Sequence, residues 1–145
     1  MPIAQVIGVD LGGTAIKLAR IRADGTVLAE AQCPTPQPAV PGAVTMALCE
    51  AIEHIDPEHA AEAVGIGLPG PMDAAARVAR VCINLPGWED VPLADWLESR
   101  LNRRVTLAND GNCAVVGEAW LGAARGVDDV AVSYTHLTLP TSRSV

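Results

Sequence analysis

The chain has little positive charge, and this shortage excludes one class of function. It carries ten Lys and Arg residues against 17 Asp and Glu, with a formal net charge of −7, and Lys17 is its single lysine. Neutralising the phosphates of a nucleic acid needs clustered Lys and Arg side chains. The densest basic cluster is formed by Arg100, Arg103 and Arg104, which we interpret as a solvated helix end. We therefore expect no nucleic-acid partner.

Long apolar runs are also lacking. No stretch contains the roughly 20 consecutive apolar residues of a membrane-spanning helix, and residues 1–7 lack the basic region and apolar run of a secretory signal. The four cysteines match no metal-ligand spacing; they are Cys33, Cys49, Cys82 and Cys113. We therefore expect a cytoplasmic protein without a membrane partner, whose cysteines are reduced and buried as small apolar residues.

Serine and tyrosine are scarce until the end of the chain. Ser99 is the only serine before Ser133, whereas residues 133–145 contain three serines and the only tyrosine. Residues 132–141 can be encoded by GTC-TCT-TAT-ACA-CAT-CTG-ACG-CTG-CCG-ACG, which resembles the adapter of transposase-based sequencing libraries. The sequence therefore predicts that residues 132–145 are an adapter-derived tail and that residues 1–131 belong to the protein. A natural disordered terminus is the alternative.

The apolar pattern predicts an α/β layer architecture. Half of the residues are apolar, so the chain can bury a core. Three strands joined by hairpins are predicted at residues 6–10, 16–21 and 26–32, with Asp24-Gly25 as the second turn. The proline-rich residues 33–38 are predicted to form a linker, because proline cannot pair in a sheet interior.

The rest of the chain alternates between helix and strand. Apolar residues recur every three or four positions from Val44 to Ile55, which predicts a helix that stops near Asp56-Pro57. A strand is predicted at residues 63–68, followed by a helix whose apolar stripe comprises Leu93, Trp96, Leu97 and Leu101. A strand at residues 105–108 and a last helix through residue 124 complete the order helix-strand-helix-strand-helix.

Asp10-Leu11-Gly12-Gly13-Thr14 is the first motif that could carry chemistry. Adjacent glycines can adopt positive φ and point consecutive N–H groups at phosphate oxygens. Thr14 adds a hydroxyl donor, and Lys17 adds a cation. Asp10 could hold a hydrated Mg²⁺, which takes one or two carboxylates and keeps several waters. A hairpin turn that merely needs two glycines is the alternative.

Asn109-Asp110-Gly111-Asn112 is the second such motif. It lies between a predicted strand and a predicted helix, where α/β proteins place their ligands. The carboxylate of Asp110 could accept a proton from an attacking hydroxyl group, as phosphoryl transfer to an alcohol requires. The alternative is that Asp110 only caps the helix that follows.

Four ordered motifs resemble the ROK family of sugar kinases and repressors. They are Val9-Asp10-Leu11-Gly12-Gly13-Thr14, Gly67-Leu68-Pro69-Gly70-Pro71, Asn84-Leu85-Pro86-Gly87-Trp88 and Leu107-Ala108-Asn109-Asp110-Gly111-Asn112-Cys113-Ala114. Residues 117–122 continue the likeness, which is strongest to bacterial ROK glucokinases. The resemblance implies the actin-like ATPase (ribonuclease H-like) fold, with two lobes that hold ATP and sugar between them. Residues 1–131 would form the N-terminal lobe.

The resemblance also implies roles for particular residues. Asp10 would be associated with Mg²⁺, and Asp110 would be the general base that takes the proton of the sugar hydroxyl. The remaining binding residues fall into two groups. Those at the phosphates are Gly12, Gly13 and Thr14, with Lys17 nearby, and those at the sugar are Gly70, Asn84, Asn109 and Asp110.

The activity that the resemblance implies is phosphorylation of a hexose, glucose first, with ATP and Mg²⁺ as cofactors. Three alternatives stay open: a sugar-responsive ROK repressor without its DNA-binding segment, a kinase of another hexose or N-acetylhexosamine, and a nucleotide-binding scaffold. The family's second phosphate loop, its further sugar-binding residues and its zinc cluster have no counterpart in residues 1–131. We therefore expect this chain to be inactive alone, and any zinc site or homodimer to belong to a longer parent protein.

Overall fold

The computed structural model describes residues 4–22, 24–82 and 85–109, except for the side chain of Asn109. Five strands form the main sheet: β1 (Gln5–Leu11), β2 (Ala15–Arg22), β3 (Val27–Pro34), β4 (Ala63–Leu68) and β7 (Arg104–Asn109). Two short strands, β5 (Ala79–Val81) and β6 (Glu89–Val91), pair separately. The helices are α1 (Pro41–Ile55) and α2 (Leu93–Leu101). Neither helix of this described part is long and apolar enough to cross a bilayer.

The main sheet has the strand order β3-β2-β1-β4-β7. The first three strands are antiparallel neighbours joined by hairpins, whereas β1, β4 and β7 run parallel to one another. Parallel strands need a crossover between them, and each crossover here contains a helix. The carboxyl ends of β1, β4 and β7 therefore meet at one edge of the sheet.

Both helices contribute to one core against the sheet. Along β1, Ile7, Val9 and Leu11 alternate with residues of the other face and join the apolar side chains of the helices in this core. Leu48 and Ile52 of α1 are fully buried there. The helix α1 begins at Pro41, which suits a first turn because its missing N–H would have no helical partner. It ends at Ile55 with Asp56 as its C-cap, close to the predicted stop.

The predicted strands and helices are confirmed within the described residues, with two local differences. Cys33 and Pro34 pair with β2 as the end of β3, so the linker is shorter than predicted. The strand β3 lies at the edge of the sheet formed by the described residues, where a proline is tolerated because one side of the strand has no ladder partner among them. The β5–β6 hairpin was not predicted. The helix predicted after Asp110 and the tail at 132–145 lie beyond the described residues.

The predicted burial of Trp96 is wrong. Its side chain is 39% exposed on α2, whereas Ala94 is fully buried. The face of α2 that packs on the core consists of Leu93, Leu97 and Leu101 together with the small Ala94, and Trp96 lies outside this face. The apolar stripe is therefore shifted by part of a turn from the predicted one.

The prediction that Arg103 belongs to a solvated helix end is also wrong. The Arg103 side chain is 4% exposed, and its Nη1 lies 3.0 Å from Oδ2 of Asp56, which is 1% exposed. Asp56 Oδ1 and Oδ2 accept hydrogen bonds from the backbone N–H groups of Ala60 and Ala61, at 2.9 and 3.0 Å. The chain turns after α2 so that Arg103 enters the interior, where a carboxylate compensates its charge.

Candidate functional site

The carboxyl edge of the parallel strands brings the two predicted motifs together. Asp10 of β1 is the register partner of Gly67 in β4, and Gly67 is the register partner of Ala108 in β7. Adjacent strands lie about 4.8 Å apart, so the backbones of β1 and β7 are separated by about 10 Å at this edge. Asn109, the last residue of β7, lies one position further along. The motif around Asp10 and the start of the motif around Asp110 thus share one edge.

Asp10 and Lys17 are cross-strand neighbours. They are directly opposite each other in the β1–β2 register, so their side chains emerge on the same face of the sheet. Since Val9 and Leu11 contribute to the core beneath the helices, Asp10 and Lys17 lie on the opposite face. Both side chains are half-buried. The predicted magnesium-associated carboxylate and the predicted cation are therefore adjacent.

The turn of residues 12–14, which we call the phosphate turn, joins β1 to β2. The N–H of Gly12 donates to the carbonyl of Ala15 at 3.0 Å and closes the turn. The prediction that its two glycines adopt positive φ is wrong, since among the described glycines only Gly25 and Gly87 do so. A Cβ on Gly12 would lie 3.0 Å from the carbonyl oxygen of Ala15, so close approach of the backbone favours glycine here.

Residues 35–37, which we call the brace, hold the phosphate turn from outside. The Oγ1 of Thr35 donates to the carbonyl of Gly12 at 2.7 Å, and its N–H donates to the carbonyl of Thr14 at 2.9 Å. The Nε2 of Gln37 donates to the carbonyl of Gly13 at 2.9 Å. These residues were predicted only as part of a linker. Their polar side chains between prolines were the available signal.

The segment after Asn84 packs against the same region. Trp88 is 3% exposed, and its Nε1–H donates to the carbonyl of Ala39 at 2.8 Å. A Cβ on Gly13 would lie 3.9 Å from Cδ2 of Leu85, so this segment also approaches the phosphate turn. Asn84 itself is outside the described residues. Its neighbours on the carboxyl side nevertheless connect the predicted sugar-binding motif to the phosphate turn and to the residues that follow the brace.

Gly70 is buried just beyond the end of β4, at the same edge. A Cβ at this position would lie 1.9 Å from the carbonyl oxygen of Val81. Real Cβ atoms are not found at such distances from a backbone oxygen, so the approach of β5 requires glycine here whatever the ligand. The predicted place of Gly70 in a sugar pocket stays a prediction.

Two of the described cysteines, Cys49 and Cys82, have thiols with a raised pKa. Cys82 is buried, as predicted, and burial raises the pKa of its thiol to about 11. Burial is also the main cause that raises the pKa of the Cys49 thiol. Cys33 and Cys49 are half-buried rather than buried. Because the thiolate is the nucleophilic form, the shifts at Cys49 and Cys82 argue against covalent catalysis by either thiol at neutral pH.

The residues at the edge fit a hydrated Mg²⁺. No group of three His, Cys, Asp or Glu side chains within residues 4–22, 24–82 and 85–109 could enclose a metal ion. Magnesium does not need such a cage, because it keeps several waters and takes one or two carboxylates. The half-buried Asp10 beside the exposed Thr14 offers one carboxylate and one hydroxyl group.

Several predicted site residues lie at this edge, and the others lie outside the described residues. The edge carries Asp10, Lys17, the phosphate turn, Gly70 and the backbone of Asn109. Asp110, the predicted base, lies one residue past the described part, and the side chain of Asn109 is outside it as well. The geometry therefore places these residues at one edge and leaves the site and the roles of its residues as predictions.

Comparison with known proteins identifies the family. The family model described as "ROK family" matches residues 6–136. A glucokinase of Thermotoga maritima is 38% identical over 141 residues, which cover 97% of this chain and 43% of that protein. An N-acetyl-D-glucosamine kinase of Salmonella newport is 36% identical over 114 residues, which cover 78% of this chain and 37% of that protein. The chain thus spans less than half the length of these relatives.

The fold agrees with the family match. The crystal structure of a ROK family glucokinase from Streptomyces griseus, in complex with glucose and AMPPNP, superposes with a TM-score of 0.70 at 33% identity. The superposition covers 85% of this chain and 38% of that one. The predicted actin-like ATPase fold is confirmed, since the sheet order, the crossovers and this likeness agree. The chain belongs to the ROK family.

Proposed function

We propose that residues 1–131 form the N-terminal lobe of an ATP-dependent hexose kinase and that glucose is its acceptor. The observation that carries the proposal is the shared edge of β1, β4 and β7, where Asp10, the phosphate turn and the end of β7 converge. Phosphoryl transfer depends mainly on positioning of the donor and acceptor and on electrostatic stabilisation. One edge that presents the phosphate turn after β1 and, about 10 Å away, the end of β7, which Asp110 follows in sequence, suits this requirement.

Each predicted residue has a part in this proposal. Asp110 accepts the proton of the sugar hydroxyl as the hydroxyl oxygen bonds to the terminal phosphorus of ATP, and ADP leaves with the electrons of the broken P–O bond. Asn84 and Asn109 bind sugar hydroxyls, because an amide offers both a donor and an acceptor. Asp10 would hold Mg²⁺, which neutralises charge on the phosphates when bound. Lys17 contributes a positive charge beside Asp10.

We propose glucose rather than N-acetylglucosamine as the acceptor because of the relatives' identities. The Thermotoga maritima relative at 38% identity is a glucokinase, and the Salmonella newport relative at 36% is an N-acetyl-D-glucosamine kinase. The ratio of kcat/KM for glucose to that for N-acetylglucosamine decides between the two substrates. A ratio below one would reject glucose as the preferred acceptor, while the proposal of a sugar kinase would stand.

Asp110→Asn in the full-length parent protein tests the mechanism. The substitution keeps the size and most hydrogen bonds of the side chain but removes the proton acceptor. We expect kcat to fall by about a hundred- to ten-thousandfold, the usual contribution of general-base assistance, while glucose affinity stays within a few fold. Equal thermal melting temperatures of variant and wild type would exclude misfolding. Wild-type turnover in Asp110→Asn would show that this residue is a helix cap.

The 145-residue chain alone should not phosphorylate glucose. Its sheet edge supplies one wall of the proposed cleft, and the chain covers only 43% of the Thermotoga maritima enzyme. A coupled assay with Mg-ATP and glucose measures this directly. Turnover that exceeds a heat-denatured control and disappears in Asp110→Asn would contradict the need for a second lobe. We also place the protein in the cytoplasm, and the parent as a homodimer, within this proposal.

A further inference from the structure

Every backbone carbonyl of the phosphate turn accepts a hydrogen bond from the brace. The carbonyls of Gly12 and Thr14 accept from Thr35, and the carbonyl of Gly13 accepts from Gln37, at distances from 2.7 to 2.9 Å. Three consecutive carbonyls are thus directed toward one short segment. Thr35 is 2% exposed, so its hydroxyl group is committed to this bond rather than to solvent.

Fixing these carbonyls also fixes the N–H groups of the turn. In a trans peptide, the N–H of one residue points opposite to the C=O of the residue before it. The bond to the Gly12 carbonyl therefore directs the N–H of Gly13 away from the brace, and the bond to the Gly13 carbonyl does the same for Thr14. Among the backbone–backbone hydrogen bonds of the described residues, none uses the N–H of Gly13 or of Thr14. Both residues are exposed.

The brace is itself anchored. Two residues beyond it, Ala39 is 1% exposed, and its carbonyl accepts the 2.8 Å hydrogen bond from the buried indole of Trp88. The chain that follows the brace is therefore held by a buried aromatic side chain. A rigid support of this kind is what a binding group needs if its geometry must hold before the ligand arrives.

We propose that Thr35 and Gln37 are positioning residues, which orient the N–H groups of Gly13 and Thr14 to bind the phosphate oxygens of the phosphoryl donor. The inference rests on the proposed kinase function and adds to it residues that touch neither substrate. It also replaces positive φ at the glycines as the origin of the donor geometry. The glycines keep the turn narrow, and the brace directs its N–H groups.

Thr35→Val is the main test, because valine keeps the volume and removes the hydroxyl donor. The matched control is Thr45→Val. Thr45 is 3% exposed, and its Oγ1 donates to the Pro41 carbonyl at 2.7 Å, so the same kind of bond is lost within α1. Thr35→Ser retains the hydroxyl group and should rescue the function. Gln37→Met removes the second side-chain donor at similar length.

In the full-length parent, we expect kcat/KM for Mg-ATP to fall about two- to tenfold in Thr35→Val and in Gln37→Met, the range expected for one lost hydrogen bond. The KM for glucose should stay within twofold of wild type, as should every constant of Thr35→Ser and Thr45→Val. An unchanged kcat/KM for Mg-ATP in Thr35→Val would overturn the inference. Equal losses in Thr35→Val and Thr45→Val would also overturn it, since they would reflect stability alone.

A second measurement separates this inference from the proposed function. Inorganic tripolyphosphate is titrated into the 145-residue chain, and the amide NMR signals of Gly13 and Thr14 are followed. We expect both signals to shift in the wild type, and the apparent Kd to rise about two- to tenfold in Thr35→Val but not in Thr45→Val. If the parent phosphorylates no hexose, the kinase proposal fails and this titration still decides the inference. Amide signals that do not shift would overturn it.

Discussion

Asp56→Ala should be among the most destabilising single substitutions in the lobe. Asp56 is 1% exposed at the end of α1, and its carboxylate lies 3.0 Å from Nη1 of Arg103, whose side chain is 4% exposed. The two carboxylate oxygens also accept the backbone N–H groups of Ala60 and Ala61. Removing the carboxylate would leave a guanidinium and two backbone donors in the interior.

The magnitude follows from what remains after the substitution. Removing one partner of a buried ion pair costs about 3–5 kcal/mol, because the other charge stays buried without compensation. Little among the described residues relieves this cost. The second carboxylate, on Glu53, is 3.9 Å from Nη2 of Arg103. The 3.0 Å approach of Nη1 to Asp56 is an ionic contact alone, since Nε, Nη1 and Nη2 have no described partner in hydrogen-bonding geometry. Domains of this size are stable by about 5–15 kcal/mol in total. We therefore expect Asp56→Ala to lower the free energy of unfolding by about 3–5 kcal/mol.

Urea unfolding of the 145-residue chain at neutral pH measures this loss. The matched control is Asp95→Ala, because Asp95 also pairs with an arginine, Arg77, but is 64% exposed; such surface pairs contribute about 0–1 kcal/mol. Arg103→Met should cost less than Asp56→Ala, since methionine fills the space and Asp56 keeps its two backbone bonds. A loss in Asp56→Ala within 1 kcal/mol of that in Asp95→Ala would refute the reasoning.

Two further predictions concern Gly70 and Glu98. Gly70→Ala should prevent stable folding, because its Cβ would lie 1.9 Å from a backbone oxygen of β5. The control Gly42→Ala, in open space on α1, should be neutral or stabilising by up to about 1 kcal/mol. Chemical denaturation of both variants measures this, and a stably folded Gly70→Ala variant would contradict the close approach. The hydrogen bond from Arg77 lowers the pKa of Glu98 below its usual 4.5, so this carboxylate stabilises the fold above pH 4.5 and loses that contribution as the pH falls through the lowered pKa. Glu98→Gln should therefore reduce the loss of unfolding free energy that accompanies acidification, while Glu58→Gln on the exposed surface should not. Parallel plots of unfolding free energy against pH for wild type and Glu98→Gln would reject the role of the Arg77–Glu98 pair.

The strands and helices were predictable where a periodic pattern spans enough residues. The strand β4 is buried along its whole length and appeared as a short apolar run, and α1 repeats apolar residues every three or four positions. The β5–β6 hairpin has three residues in each strand, which is too short for a period to emerge. Its position is set by packing of β5 against Gly70, which the sequence does not reveal.

The candidate site was predictable in its location and less so in its construction. The motifs of Asp10 and Asp110 were predicted at the ends of two strands, and the sheet register places Asp10 and the end of β7 at one edge. The brace was missed, because Thr35 and Gln37 bond to carbonyls 23 and 24 residues away, and such pairs leave no local signal. Arg103 was misjudged for the same reason, since its partner Asp56 becomes a neighbour only through tertiary packing.

The position of β1 in the sheet has a consequence for synthesis of the protein. The strands β1, β2 and β3 pair with their neighbours in sequence, so this meander can form once the first 34 residues have left the ribosome. The other side of β1 stays unpaired until β4, at Ala63–Leu68, has also emerged. During that interval the apolar Val6, Ile7 and Val9 form an open strand edge, which can pair with other chains. Slow translation between residues 34 and 68 would therefore favour aggregation of the nascent lobe.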